Sequence, residues 1–274
     1  MAGRINELTV LIRGGGEMAS GIAHRLHRCH MKIIITEVAA PTAVRRTVAF
    51  AEAVYEGTQI IEGVTARRAG SLTEAETCLK AGEIPVIVDP QAVIRQEFDP
   101  AAVIDAIMAK RDCGTRMTDA PLVIGVGPGF SAGVNVHAVV ESNRGYHLGR
   151  VIWRGEAEPD TGVPAPVAGH TEGRVLRVPK SGMFRALRTI GDVVEAGETV
   201  GVVEGEAMPA PIPGLIRGML RSGVQVRAGM KAGDIDPRLE RGYCYEISDK
   251  ARAIGGGVLE AILGASIDLK LPSD

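Results

Sequence analysis

The chain has 274 residues, 45% of them hydrophobic and 23% charged, with a formal net charge of -2. That length can bury one large core or two modest ones. The near-neutral balance supplies no global field toward nucleic acid or an anionic membrane, and 3% aromatics are too few for a base-stacking surface. The sequence shows no signal-peptide pattern and no run of about 18 apolar residues. Its cysteines, Cys29, Cys78, Cys113 and Cys244, include no C-x-x-C pair, so a reducing cytoplasm is the expected compartment.

Thr9 to Ile12 reads as a short strand, broken by Gly14-Gly15-Gly16. From Glu17 to Cys29 the apolar Met18, Ile22, Leu26 and Cys29 recur at helical spacing, and Lys32 to Thr36 carries the apolar run of a strand buried on both faces. Val44 to Tyr55 reads as a helix and Thr58 to Arg68 as β-like. Ser71 to Ala81 reads as a helix, with Ser71 as N-cap and Glu74 placed for a capping box. Ile84 to Val88 is a buried strand that ends in Asp89-Pro90. Pro100 to Lys110 reads as a helix with proline at its start. Leu122 to Val126 is another apolar strand, running into a second glycine loop, Gly127-Pro128-Gly129. Val134 to Glu141 alternates like an exposed strand. Strands alternating with helices predict a mostly parallel sheet covered by helices.

After Arg154 the texture changes, and short valine-rich runs alternate with glycine turns to about Pro237. The segment repeats internally. Pro164 to Gly169 matches Pro209 to Gly214, with Gly173 matching Gly218, and Gly191 to Gly197 matches Gly223 to Gly229. The first half carries an insertion around Pro179 to Arg188. Two repeated β-motifs suggest a pseudo-two-fold flattened barrel, resembling the barrel-sandwich architecture of biotinyl and lipoyl carriers. The hairpin where carriers hold their modified lysine reads Glu204-Gly205-Glu206-Ala207-Met208-Pro209, without lysine. A lid or docking surface is therefore expected there, not a swinging arm. Ser248 to Leu263 reads as a helix interrupted by Gly255-Gly256-Gly257, packing back on the N-terminal domain.

The expected fold is thus α/β: a Rossmann-like, mostly parallel sheet domain with an inserted all-β barrel-sandwich-like module. The boundaries read as residues 1–154 for the Rossmann-like nucleotide-binding domain, 155–238 for the insertion, and 239–274 for the returning helix.

The main chemical signal is Gly14-x-Gly16-x-x-Ala19 between a strand and a helix. Gly14 permits the turn, Gly16 admits a ligand to the backbone, and the helix N-terminus offers free N–H groups to a phosphate. Gly15 lies within the same loop. Glu37 ends the second strand, where an acid that holds a ribose hydroxyl belongs. Glu17, in the first helical turn, opposes a phosphate; Arg13 either offsets it or is a solvated strand end. Asp89, Gly127 and Gly129 follow other strands, and either a ligand edge or plain turn geometry accounts for them. His24 and His27 fit a solvated helix face better than a metal site, because no third ligand is evident. Cys113, in a polar loop, reads as a reactive thiol or an incidental one.

Four segments resemble the selenium-dependent molybdenum hydroxylase system proteins of the YqeB type. They are Val10 to Gly21, Ala120 to Phe130, Lys231 to Arg238 and Ile247 to Ala261. The resemblance covers nearly the whole chain, and an acid at position 17 is part of it. It implies a bacterial accessory protein for maturing hydroxylases of the xanthine dehydrogenase type, with the hydroxylase apoenzyme as partner. It implies no particular catalytic residues. The expected ligand is a nucleotide or the dinucleotide form of molybdenum cofactor, held at the edge formed by Gly14, Gly16, Glu37, Asp89, Gly127 and Gly129. The rival expectation is an NAD-dependent oxidoreductase, which needs a positioned proton donor that the sequence does not display. A homo-oligomer is compatible with either.

Overall fold

A computed structural model describes residues 5–109, 112–162 and 166–265. The chain divides into two compact units. The first comprises residues 1–41, 50–160 and 247–274; the second comprises 42–49 and 161–246. The division therefore falls at 160/161 and 246/247, where sequence texture placed it at 154/155 and 238/239. It also gives a short N-terminal segment, 42–49, to the second unit.

The first unit begins with β1 (Thr9–Arg13), α1 (Glu17–Arg28) and β2 (Lys32–Glu37). On α1 the residues Ala19, Ile22, Ala23 and Leu26 are buried at helical spacing. Full burial of Ile22 and Leu26 contributes about 1.5–3 kcal/mol each. The Val44–Tyr55 helix does not form as one element. Only 3-10 turns at 46–48 and 50–52 and the short α2 (Ala53–Glu56) appear, because the segment leaves one unit for the other at residue 50. The hairpin β3 (Thr58–Ile61) and β4 (Val64–Ala69) follows, then α3 (Leu72–Lys80), where the Ser71 hydroxyl accepts from the Glu74 amide at 3.2 Å. Next come β5 (Ile84–Val88) and the short α4 (Arg95–Phe98).

The helix expected at Pro100–Lys110 is instead a central strand, β6 (Ala102–Asp105), buried throughout; Lys110 lies outside the described residues. The sheet continues with β7 (Leu122–Val126), the short β8 (Ser131–Ala132) is set apart, and β9 (Ala138–Val140) follows. β9 is completely buried, contrary to the exposed strand read from Val134–Glu141, because it pairs in parallel with β7 inside the sheet. β10 (Val151–Ile152) closes that edge, and β11 (Gly155–Glu156) pairs with β8.

The nine strands run in the order β10-β9-β7-β6-β1-β2-β5-β4-β3. From β5 to β9 every pairing is parallel. Taking these six in chain order gives the arrangement 3-2-1-4-5-6 of doubly wound dinucleotide-binding sheets, whose order reverses between β1 and β6. The final helix, α5 (Asp249–Ala265), is continuous through its glycine triplet. Those glycines provide close approach. A Cβ on Gly255 would lie 3.0 Å from the Gly21 carbonyl of α1, and one on Gly257 would overlap the Gly149 carbonyl. Gly256 faces open space.

The second unit contains β12 (Val175–Arg177), β13 (Gly182–Ala186), β14 (Val193–Val194), β15 (Thr199–Val203), β16 (Glu206–Pro209), β17 (Gly214–Met219), β18 (Gln225–Val226) and β19 (Lys231–Asp236). They form two antiparallel sheets, β12-β19-β17-β14 and β16-β15-β13-β18. Phe184, Val200, Val203, Leu215, Ile216 and Ile235 bury a shared core. The internal repeat is real, but its register differs from the sequence reading. Gly182, Gly191 and Gly197 correspond to Gly214, Gly223 and Gly229 at one constant offset, with φ of 152°, 97° and 84° against 151°, 86° and 77°. The Gly191 amide donates to the Ile216 carbonyl and the Gly223 amide to the Phe184 carbonyl, each at 2.8 Å. Such reciprocity is what a two-fold repeat requires. No insertion is needed at 179–188, which holds β13. Of the motif starting at Pro164, residues 164 and 165 lie outside the described residues. The rest makes only a bridge between Val167 and His170.

Candidate functional site

The parallel strands place Gly14, Asp89 and Gly127 just past the carboxyl ends of β1, β5 and β7, and Glu37 at the last position of β2, all at one edge. Strands stand about 4.8 Å apart, so the edge from β5 to β7 spans about 20 Å.

The three glycines of the first loop do different work. Gly14 has φ +92°, and a Cβ there would lie 3.1 Å from the Ile107 Cα. Gly15 is buried: a Cβ would lie 2.9 Å from the Ala51 amide nitrogen. Its own amide donates to Glu37 Oε2 at 2.8 Å, and its carbonyl accepts from the Ser20 hydroxyl at 3.1 Å. Gly16 is the N-cap of α1, with extended backbone and no side chain to cap the helix, and a Cβ there would meet nothing within 4 Å. The loop is thus closed at Gly14 and Gly15 by backbone packing and open at Gly16, over the positive end of α1.

Glu37 joins this loop directly. Its other oxygen, Oε1, accepts from the Val38 amide at 2.7 Å. Burial pushes its carboxyl above the usual range, and the two backbone hydrogen bonds oppose that push. Each oxygen retains a lone pair for a ligand hydroxyl. Asp89 is adjacent, its amide donating to the Glu37 carbonyl at 3.0 Å. Its carboxylate is committed locally, accepting from the Ile94 amide at 2.8 Å.

The second glycine loop does not meet the first. A Cβ on Gly127 would overlap the Ser142 hydroxyl and lie 3.4 Å from Met108, whereas Gly14 faces residues 106 and 107. The segment after β6 therefore touches both loops. Gly129 has φ +102° and is exposed. Turn geometry and close packing account for Gly127. The site residues thus form one group, Gly14, Gly15, Gly16, Glu37 and Asp89, with Gly127 and Gly129 two strands away from β1.

Arg13 does not face solvent. Its guanidinium is buried, with Nη1 donating to Thr115 Oγ1 and lying 3.4 Å from Asp105 Oδ2; the Thr115 hydroxyl donates to the same carboxylate at 2.5 Å. Arg13 Nη2 donates to the Cys113 carbonyl at 2.8 Å. This arrangement was missed because 100–110 read as a helix, which hid Asp105 as a strand end. The buried run Ala102-Val103-Ile104 ahead of an acid was the available signal. His24 is half-buried, its Nε2 3.5 Å from the Glu62 carbonyl, and burial lowers the pKa of both His24 and His27. Among the described residues, no cluster of three or more His, Cys, Asp or Glu could hold a metal. No helix of those residues is long and apolar enough to cross a membrane.

Fold and site together define a mixed α/β protein whose large sheet carries a dinucleotide-binding strand order and an open glycine at a helix N-terminus. The chain is 49% identical over 254 residues to a protein of Escherichia coli K12 named "Uncharacterized protein YqeB". The match covers 93% of this chain and 47% of that one, so the chain spans about half the length of its curated relative. No family model matches. Among solved structures, E. coli tRNA N6-threonylcarbamoyladenosine dehydratase, TcdA, in complex with AMP is 18% identical. It covers 48% of this chain and 55% of that one, with a TM-score of 0.26. An aspartoacylase family protein from Mesorhizobium loti is 15% identical, covering 83% and 84%, with a TM-score of 0.27. Likenesses this weak establish neither the fold nor the function of this chain.

Proposed function

We propose that this chain is a bacterial cytoplasmic accessory factor that binds a nucleotide, or the dinucleotide form of molybdenum cofactor, while hydroxylases of the xanthine dehydrogenase type mature. The observation that carries nucleotide binding is the open Gly16 at the N-terminus of α1, beside β1 at the centre of a 3-2-1-4-5-6 sheet. A phosphate held there meets backbone N–H groups and the helix dipole, and a ribose hydroxyl reaches Glu37. The edge of about 20 Å has room for a dinucleotide. The place in hydroxylase maturation rests on the four sequence motifs alone.

The acids at this edge support binding more than turnover. Glu37 and Asp89 hold backbone amides, and Asp105 holds Arg13 and Thr115. We read the second unit as a barrel-sandwich-like module without a carrier arm: its β15–β16 turn is Glu204-Gly205, with φ of 47° and 82°. The reciprocal hydrogen bonds of its two halves support that reading.

The test is ligand retention. Protein purified from its native host is denatured, and the released small molecule is identified by mass spectrometry. A stoichiometric nucleotide or pterin dinucleotide is expected. Absence of any nucleotide, with no calorimetric binding of AMP, NAD or the cofactor dinucleotide, overturns the reading. Deleting the gene should lower hydroxylase activity while leaving the hydroxylase polypeptide present. Full activity in the deletion strain would detach the chain from that pathway.

A further inference from the structure

One buried side chain joins the glycine loop to α1 and to the segment at residue 50. Ser20 is the fourth residue of α1 and is fully buried. Its hydroxyl donates to the Gly15 carbonyl at 3.1 Å and accepts from the Phe50 amide at 2.7 Å. Its own amide donates to the Gly16 carbonyl at 2.8 Å. The Gly15 carbonyl also accepts from the Ala51 amide at 2.8 Å. Two successive loop carbonyls, those of Gly15 and Gly16, are therefore turned toward Ser20.

The direction of those carbonyls fixes the direction of the amides paired with them. A peptide unit is planar and trans, so its N–H points opposite to its C=O. With the Gly15 carbonyl held by Ser20 and Ala51, the Gly16 N–H points away from both, out of the packed side of the loop. A Cβ on Gly16 itself would meet nothing within 4 Å. Glycine has more backbone freedom to lose than any other residue, and three stand here in a row. The bonds to Gly15 hold that freedom in check, and by polarising the peptide they strengthen the N–H at its other end.

We propose that Ser20 is the positioning residue for the phosphate of the bound nucleotide: it fixes the Gly15–Gly16 peptide so that the Gly16 N–H meets a phosphate oxygen. The proposal rests on the nucleotide reading above and deepens it. Ser20 is fully buried, so it acts through the loop and not by touching the ligand. Its effect falls on one part of that ligand. The ribose end belongs to Glu37, whose carboxylate is oriented by the Gly15 and Val38 amides, which donate to Glu37 and not to Ser20. Loss of the Ser20 hydroxyl therefore weakens the hold on phosphate and spares the hold on ribose. Ala51 keeps its bond to the Gly15 carbonyl, so the loop is loosened without being released.

The test compares a nucleoside 5′-monophosphate with its own nucleoside. The probe is whichever of AMP, CMP, GMP and UMP binds the unaltered protein most tightly by calorimetry, with the nucleoside measured by displacement. Ser20→Ala should lose about five- to tenfold in affinity for the monophosphate, the factor of one net hydrogen bond, and less than about twofold for the nucleoside. A defect that merely unsettles the fold weakens both ligands alike, so the ratio of the two affinities is the readout. Ser20→Cys keeps the side-chain size and a weaker donor, and its ratio should fall between those of Ser20→Ala and the unaltered protein. It also serves where Ser20→Ala does not fold. An unchanged ratio in either folded variant overturns the proposal, whether both affinities hold or both fall together. If no monophosphate binds the unaltered protein, the nucleotide reading itself falls and this proposal with it, so the two failures are told apart.

Discussion

Replacing Gly16 by aspartate should make the protein more stable while removing its nucleotide. The backbone at Gly16, φ −67° and ψ −178°, is open to any residue, and an added Cβ meets nothing within 4 Å. Gly16 caps α1 without a side chain, so Asp supplies a missing acceptor for the first-turn amides and a negative charge at the dipole's positive end. Together these contribute about 1 kcal/mol, which is about 2–4 °C in Tm for a unit of this size. The same carboxylate occupies the phosphate position and repels it. A loss of at least ~100-fold in nucleotide affinity, about 2.7 kcal/mol, is expected. Calorimetric titration and thermal melts followed by Trp153 fluorescence measure both. Gly15→Ala is the contrast: its Cβ would press on the Ala51 backbone at 2.9 Å, costing about 1–3 kcal/mol. The reasoning fails if Gly16→Asp binds nucleotide as tightly as the unaltered protein, or if it is destabilised like Gly15→Ala.

Three further outcomes follow from the same geometry. Asp105→Ala leaves the buried Arg13 guanidinium without its carboxylate and should cost about 3–5 kcal/mol in urea denaturation; a loss below about 1 kcal/mol would show that the pair is not what holds the loop. In α5, Gly256→Ala should stabilise by about 0.5–1 kcal/mol, whereas Gly257→Ala, which meets the Gly149 carbonyl, should destabilise by about 1–3 kcal/mol; equal melting temperatures would contradict the packing of that helix. In the second unit, burial pushes Asp234 up, but Lys231 and Arg217 outweigh it and hold its carboxyl well below the usual range. Asp236 is likewise lowered on balance, burial being overcome by Arg238. A lowered folded pKa gives stability that is complete above the ordinary aspartate value of about 3.9 and lost as pH falls through the lowered values. Circular dichroism of the β-unit should therefore hold from pH 7 to about 4 and fall only below that; a midpoint near pH 5 would refute the assignment.

The sequence by itself determined the opening β1-α1-β2 unit, the caps and strands whose apolar periodicity is local, the all-β texture after residue 154, and the acid that ends β2. These features depend on near neighbours and on glycine's freedom at positive φ, which composition and spacing express directly. Tertiary structure decided the rest. Ala102-Val103-Ile104 became a central strand because β1 and β7 flank it, a pairing worth more than the helix propensity of the residues that follow. Residues 44–55 were divided between two units, an outcome no periodicity records. The repeat could be seen as glycines in sequence, but its register was settled by hydrogen bonds between Gly191 and Ile216 and between Gly223 and Phe184. The meaning of each glycine in the first loop was decided the same way. Gly15 is required by Ala51 and Gly16 by nothing in the fold, since whether a Cβ fits depends on atoms distant in the chain.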